Sequence, residues 1–408
     1  MSQTIKKIIA NEIINSRGYP TISARLILSD ERQIEVSIPC YEENFPFQNK
    51  QLFDEDTRFS GRGVKKVVYY INNLIGPKLI NVSPLKQIEI DNWLDRADGT
   101  SNKSKLGINT IATISYLIAK AGALILELPL YKYLNKIYND NYQSKINLQK
   151  IPTPIFTLLK GGKHGQVNLD FCQFQIMPSS LLSYPDAYDL GVQFYHLLRH
   201  QYKFLFKSNL DVLEAIKNIS LKINKRLGQE FFLGIDFCAD DFFSNNHYSI
   251  KDRSQSLTNS EYNKFIIDKI IKNYSPIVII DVFSINDIEN WKELINLYNK
   301  EIYITIDNYF SGKKSQLDLI LKQKIANTII IKPIQIGTLT EIFSLIDFIK
   351  KNSFSYIFSS DLEETDEVFI ADLSIGLQSD YFSFSQPVHE ENVVKYNRVL
   401  EISNNFIK

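Results

Sequence analysis

Four charged residues close four apolar runs in the second half of the chain: Asp236 ends "EFFLGID", Asp281 ends "SPIVIID", Asp307 ends "IYITID" and Lys332 ends "NTIIIK". A strand that is apolar throughout and closes on one charge delivers that charge to its carboxyl end, which in a closed β/α barrel is the face where chemistry is done. Three carboxylates drawn to one mouth repel one another, so either their pKa values rise or a cation sits among them. Oxygen donors without His or Cys favour Mg²⁺, which makes Asp236, Asp281 and Asp307 a candidate metal site. Lys332 in the same mouth serves as a general base if its ammonium is made more acidic, which the aspartates oppose unless metal charge offsets them. Plainer readings stand beside these: a single strand-end aspartate commonly caps the helix that follows, and Lys332 with one aspartate makes a salt bridge.

The elements that would position these groups are legible from spacing. The closing residues Asp236, Asp281, Asp307, Lys332 and Ser359 recur at intervals of 45, 26, 25 and 27 positions, the repeat of a βα unit in a parallel sheet. An open doubly wound sheet is the alternative to a closed barrel, but no Gly-rich phosphate loop follows any of these strands. The first part of the chain alternates instead. "TIKKIIANEIIN", "PTISARLILSD" and "RQIEVSIP" are separated by the turn formers "SRGYP" and "SDER", and read as a three-strand meander. From "SGRGVKKVVYYINNLIGPKLI" to "KLGINTIATISYLIAKAGALILELPLYKYL" the apolar period becomes 3.6, so helices are expected there. The expected fold class is α/β, with an N-terminal α+β domain over residues 1–140 and a C-terminal β/α (TIM-type) barrel over residues 141–408.

Lys+Arg and Asp+Glu are both 46, so no field exists to recruit nucleic acid or an anionic membrane, and a small molecule or a protein is the expected partner. The longest apolar stretches are broken by polar residues within less than a bilayer's span of ~20 residues. "MSQTIKKIIANEIINSRG" holds no apolar core of signal-peptide length, and three cysteines make no disulfide framework, so a cytoplasmic location with free thiols is expected.

The motifs "IINSRGYPT", "DTRFSGRGVKKV", "DGTSNKSKLGINTI", "PLYKYL", "KGGKHG", "IIIKPIQIGTLTE" and "FIADL" follow one another across nearly the whole chain and resemble those of the enolase family. The resemblance implies an α+β domain on a β/α barrel, a homodimer, and dehydration of 2-phosphoglycerate. That reaction needs a lysine base, a glutamate acid, a phosphate clamp and two Mg²⁺ to hold developing charge. By resemblance Lys332 is the base and His164 in "GGKHG" the active-site histidine. The metal triad becomes Asp236, Asp281 and Asp307, with Asp281 one methylene shorter than the family's glutamate; anchoring on Trp291 instead would put Ile280 there.

Much of the remaining machinery departs from the family's pattern. The loop that carries the general acid belongs around 207–212, where no residues remain to encode it, and Gln173 in "CQF" replaces the second acidic group. The lid on the second metal becomes "CYEENF", in which Cys40, Tyr41, Glu42 and Glu43 replace small hinge residues. In "SSDLEETD" the family's His, Arg and Ser, which hold substrate and phosphate, become Ser360, Asp361 and Leu362, and Ser383 stands where a carboxylate-binding lysine is expected. One Mg²⁺ site is therefore implied, and a second would lack its phosphate ligand. The expectation is a pseudoenzyme, a binding or regulatory module pairing with its own copy or with a true enolase in a heterodimer. The alternatives are a repurposed Mg²⁺-dependent enzyme using Lys332 on a non-phosphorylated acid, and a still active phosphopyruvate hydratase of glycolysis in which His389 and Lys395 lend positive charge. Cys40, Cys172 and Cys238 are expected to line one cavity, as a catalytic thiol or as small buried apolar groups.

Overall fold

Residues 3–41 and 48–406 are described by a computed structural model of the chain. The alternating segments form Ile5–Ile14 (β1), Pro20–Leu28 (β2) and Gln33–Ile38 (β3), an antiparallel sheet in which Ala10 faces Ala24 and Ala24 faces Val36. Its inward residues, among them Ile8, Ile22, Leu26 and Ile38, are buried against helices. Those helices include Gln87–Asp98 (α1), Ile108–Ile125 (α2) and Leu130–Asn141 (α3). By length and composition α2 is apolar enough to cross a membrane, but it packs on β2 and β3 as a core helix.

Eight strands close the barrel in chain order. They are Thr153–Lys160 (β4), Gln173–Pro178 (β5), Phe231–Asp236 (β6), Val278–Ile280 (β7), Tyr303–Ile306 (β8), Thr328–Ile331 (β9), Ser355–Ser359 (β10) and Tyr381–Ser383 (β11). β11 pairs back onto β4. Ile155, Met177, Val278, Ile280, Ile330 and Ile357 fill the interior, so the barrel is a packed core with polar groups at one end. Ile280 thus belongs to the core, which leaves Asp281 as the acidic strand end.

One expectation needs correction, because the barrel sheet is not wholly parallel. β5 runs antiparallel to β4 and to β6. The 161–172 loop that joins β4 to β5 has no crossover helix, and without one a neighbouring strand returns antiparallel. As a result the first residue of β5, Gln173, lies at the mouth beside Lys160 and Asp236. The long interval from Asp236 to Asp281 holds a small antiparallel sheet of Phe243–Ser244, His247–Tyr248 and Leu257–Thr258 followed by a helix.

The barrel is fixed to the N-terminal sheet and helices by the segment after β10. Arg62 donates from both terminal nitrogens to the Glu363 carboxylate at 3.0 and 2.7 Å, Asn15 Nδ2 adds a bond at 3.2 Å, and the guanidinium lies 4.0 Å over the Tyr19 ring. Lys120 Nζ reaches both oxygens of Glu367 at 2.7 and 2.8 Å. At the next junction Thr338 and Glu341 form a capping box that starts Leu339–Lys351 (α4), and Lys103 Nζ lies 2.9 Å from Glu341 Oε1.

Glu363 is fully buried, so removing its cation strands a charge. Arg62→Ala is expected to cost about 3–5 kcal/mol, read as a lower urea midpoint. Arg25→Ala, which breaks the exposed pair with Glu35 at 3.3 Å, is expected to cost about 1 kcal/mol or less.

Candidate functional site

The strand ends converge on a cavity of about 810 Å³ whose wall includes Arg17, Lys160, Gln173, Asp236, Asp307, Lys332, Gln335 and residues Ser359 to Leu362. Lys332 follows β9 and Asp307 follows β8, and the Lys332 Nζ donates to Asp307 Oδ2 at 2.8 Å. Burial works to lower the Lys332 pKa, but the charges of Asp307 and Asp361 outweigh it, and the ammonium is held above its usual range. The salt-bridge reading of Lys332 therefore describes this geometry.

The carboxylates show the strain of shared space. Burial and then the Asp307 charge push Asp236 up to about 7, while Cys238 Sγ donates to its Oδ1 at 3.3 Å and Gln173 Nε2 to its Oδ2 at 3.2 Å. Burial, followed by Asp307 and Asp236, raises Asp281 well above the carboxylate range. The chain turns at Asp281 in a left-handed conformation, φ +45°, and its two oxygens accept from the backbone N–H groups of Asp307 and Asn308 at 3.0 Å each. Asp281 therefore pins the β8 loop and caps no following helix.

The residues expected to depart from the family's pattern can be placed. Gln173 Oε1 accepts from Thr157 Oγ1 at 2.7 Å, so the amide is fixed as a donor toward Asp236. Asp361 Oδ1 accepts from Gln335 Nε2 at 3.0 Å, whereas Asp361 Oδ2 and Ser360 Oγ are buried with no hydrogen-bond partner among the described residues. Burial pushes Asp361 up to about 7, with Lys332 drawing it back and Glu364 adding to the rise. Leu362 lines the cavity, and Ser383 is buried at the end of β11, where its carbonyl accepts from Ser360 N at 2.9 Å. The His164 side chain, Glu42 and Glu43 lie outside the described residues.

Where the general acid is expected, helix Tyr184–Tyr202 passes through residues 203–208 straight into helix Asn209–Lys222. Ser208 caps that second helix, its Oγ accepting from Asp211 N at 3.3 Å. Two further expectations change. Cys172 and Cys238 line the cavity, but Cys40 lies in the N-terminal part, its Sγ 3.2 Å from Thr21 Oγ1. Lys395 is buried in a pair with Glu364 at 3.1 Å and is not on the cavity wall, while His389 reaches a side branch. Lys160 and Arg17 are wall residues that were not singled out from the sequence, although Lys160 closes the apolar run "TPIFTLLK" by the same signal that marks Lys332.

Comparison with known proteins covers both parts of the chain. The family model of the enolase N-terminal domain matches residues 5–134, and that of the enolase C-terminal TIM barrel domain matches residues 148–408. The chain belongs to the enolase family. The enolase of Ehrlichia chaffeensis is 33% identical, with the alignment covering 98% of this chain and 96% of that protein. Those of Natranaerobius thermophilus and Helicobacter pylori are 32% and 31% identical, each over 98% of this chain and 95% of the relative.

Enolase-family members generally use Mg²⁺. The donor set fits such an ion in part: Asp236 and Asp307 open on the cavity, and a divalent cation would remove the repulsion between them. Asp281 spends both oxygens on amides, and among the described residues no group of three or more His, Cys, Asp or Glu side chains is set to hold a metal ion.

Because the folded chain holds the Asp236 proton to about 7, against 3.8 for a free aspartate, it binds protons that the unfolded chain has released. Stability therefore falls as pH rises from about 4 toward 7. Asp281 and Asp361 are raised in the same direction, so Asp236→Asn is expected to lessen this slope without abolishing it, giving a higher urea midpoint than the parent at about pH 8 and no gain at about pH 4.

Proposed function

We propose that this enolase-family barrel does not dehydrate 2-phosphoglycerate and serves as a ligand-binding or regulatory member of the family. The observation that carries the reading is Asp361. At the position matching a phosphate-binding arginine, a carboxylate lies on the cavity wall with one oxygen bonded to Gln335 at 3.0 Å and the other buried without a partner among the described residues. Exchanging a guanidinium fork for a carboxylate turns attraction for phosphate into repulsion.

The acid–base groups support the same reading. Lys332, paired with Asp307 at 2.8 Å, holds its proton and has no lone pair to accept another. Gln173 cannot donate a proton as an acid, and the short 203–208 connection brings no carboxylic acid to the mouth. Asp236 and Asp307, with Asp281 behind them, would hold one Mg²⁺, whose charge would neutralise the carboxylates when bound. No ligand set is assigned to a second ion. Enolases are commonly homodimers, and we extend the reading to a pair with its own copy or with a true enolase.

A second reading is favoured by the retention of Lys332, Asp236 and Asp307 on one wall. In it the barrel acts on a non-phosphorylated acid once a cation has displaced Lys332 from Asp307.

Purified protein free of host enolase, assayed with 2-phosphoglycerate and Mg²⁺, is expected to form product at least roughly 10⁴-fold more slowly than an ordinary enolase, since each lost stabilising donor costs ~10²-fold. A rate within about 100-fold of an ordinary enolase overturns the reading. For the metal, Mg²⁺ is expected to raise the melting temperature of the parent and to leave Asp307→Asn unchanged. No shift in either protein removes the metal from the proposal.

A further inference from the structure

Two lysines reach the mouth from different strands and meet opposite surroundings. Lys332 is held in its ion pair with Asp307 at 2.8 Å. Lys160, the last residue of β4, lines the same cavity, and among the described residues its Nζ takes part in no salt bridge and no hydrogen bond. Arg17 stands beside it, both in the main cavity and in a branch of about 150 Å³ that the two share with His389, Glu391 and Asp361. Two of the three acids of that branch have other partners, since Gln335 donates to Asp361 at 3.0 Å and Glu364 is paired with Lys395 at 3.1 Å, and the third, Glu391, makes no salt bridge with Lys160. Burial and then the Arg17 charge lower the Lys160 pKa, with Glu391 drawing it back in part.

A largely buried lysine beside a second cation, with no carboxylate at salt-bridge distance among the described residues, is the arrangement that yields an uncharged and nucleophilic amine. The cavity in front of it has room for a small organic acid. A ligand carrying one carboxylate, with less charge than a phosphate, suits a wall where Asp361 repels anions and the Arg17 guanidinium, which has a partner of its own, still lends positive charge beside Lys160.

We propose that Lys160 is a reactive amine that condenses with the carbonyl carbon of a small 2-oxo acid held in this cavity. The Nζ lone pair attacks the carbonyl carbon, and the C=O double bond opens to a carbinolamine. The oxygen then departs as water, carrying both amine protons, and a C=N bond joins Lys160 to the ligand. No oxidant or reductant is needed. The inference goes beyond the binding role proposed above and does not depend on it, because Lys160 and Lys332 are separate groups and loss of dehydration leaves the amine in place.

Full-length protein incubated with pyruvate and then with sodium borohydride reads the proposal directly, since reduction converts the imine to a stable secondary amine that peptide mass mapping locates. The adduct is expected to concentrate on Lys160, to spare Lys332, and to be lost in Lys160→Gln. Lys160→Arg, which keeps the positive charge but cannot form the imine, is expected to lose it as well and serves if the glutamine variant fails to fold. An adduct spread over exposed lysines such as Lys6 and Lys132 without enrichment at Lys160, or no adduct at all, overturns the proposal.

Discussion

The Arg62 guanidinium and the buried Glu363 carboxylate hold the two parts of the chain in one orientation, and the cavity depends on that orientation. Glu363 directly follows Ser360, Asp361 and Leu362, so the clamp that joins barrel to sheet also sets where those three side chains stand. The Cys40 N–H bonds to the Glu363 carbonyl at 3.0 Å, and Lys395 takes Glu364 into a buried pair of its own. Losing one partner of such a pair is costly, which restrains both ends of the segment at once.

Within the mouth the charges answer one another. Asp307 is matched by Lys332 and Asp361 by Gln335, and Asp236 collects a thiol and an amide donor. Three of the acids are still pushed upward by burial and by one another, so this internal neutralisation is incomplete. Lys160 is the exception among the wall lysines, being surrounded without being paired to any of the described residues.

The meander, the helical N-terminal part and the succession of barrel strands were legible because apolar periodicity reports burial directly. Strand direction was not, since the Gln173 strand has the same apolar character whichever way it runs, and only the short 161–172 connection, which holds one 3-10 turn and no crossover helix, distinguishes the two. The strand-end charges Asp236, Asp307 and Lys332 were found by a pattern that Lys160 also satisfies. The left-handed turn at Asp281 follows from a backbone angle that no residue type in "IIDVF" announces. The long motifs were legible for a different reason. Lys103 pairs with Glu341, Asn109 exchanges bonds with Leu52 at 3.0 Å each way, and Asn49 Nδ2 reaches the Gln335 carbonyl at 2.9 Å. Lys103 and Asn49 join the two parts of the chain and Asn109 fastens a loop within the first, so their presence speaks for architecture and is silent about chemistry.

The segment 360–367 serves as cavity wall at one end and as domain clamp at the other, and this limits how such a protein changes over generations. An insertion or deletion there would shift the Arg62 and Lys395 contacts together, whereas exchanging the side chain at Asp361 leaves the backbone where it was. New ligand preferences at this wall are therefore reached by substitution in place, and the barrel can drift far from its ancestral chemistry while its outline stays the same.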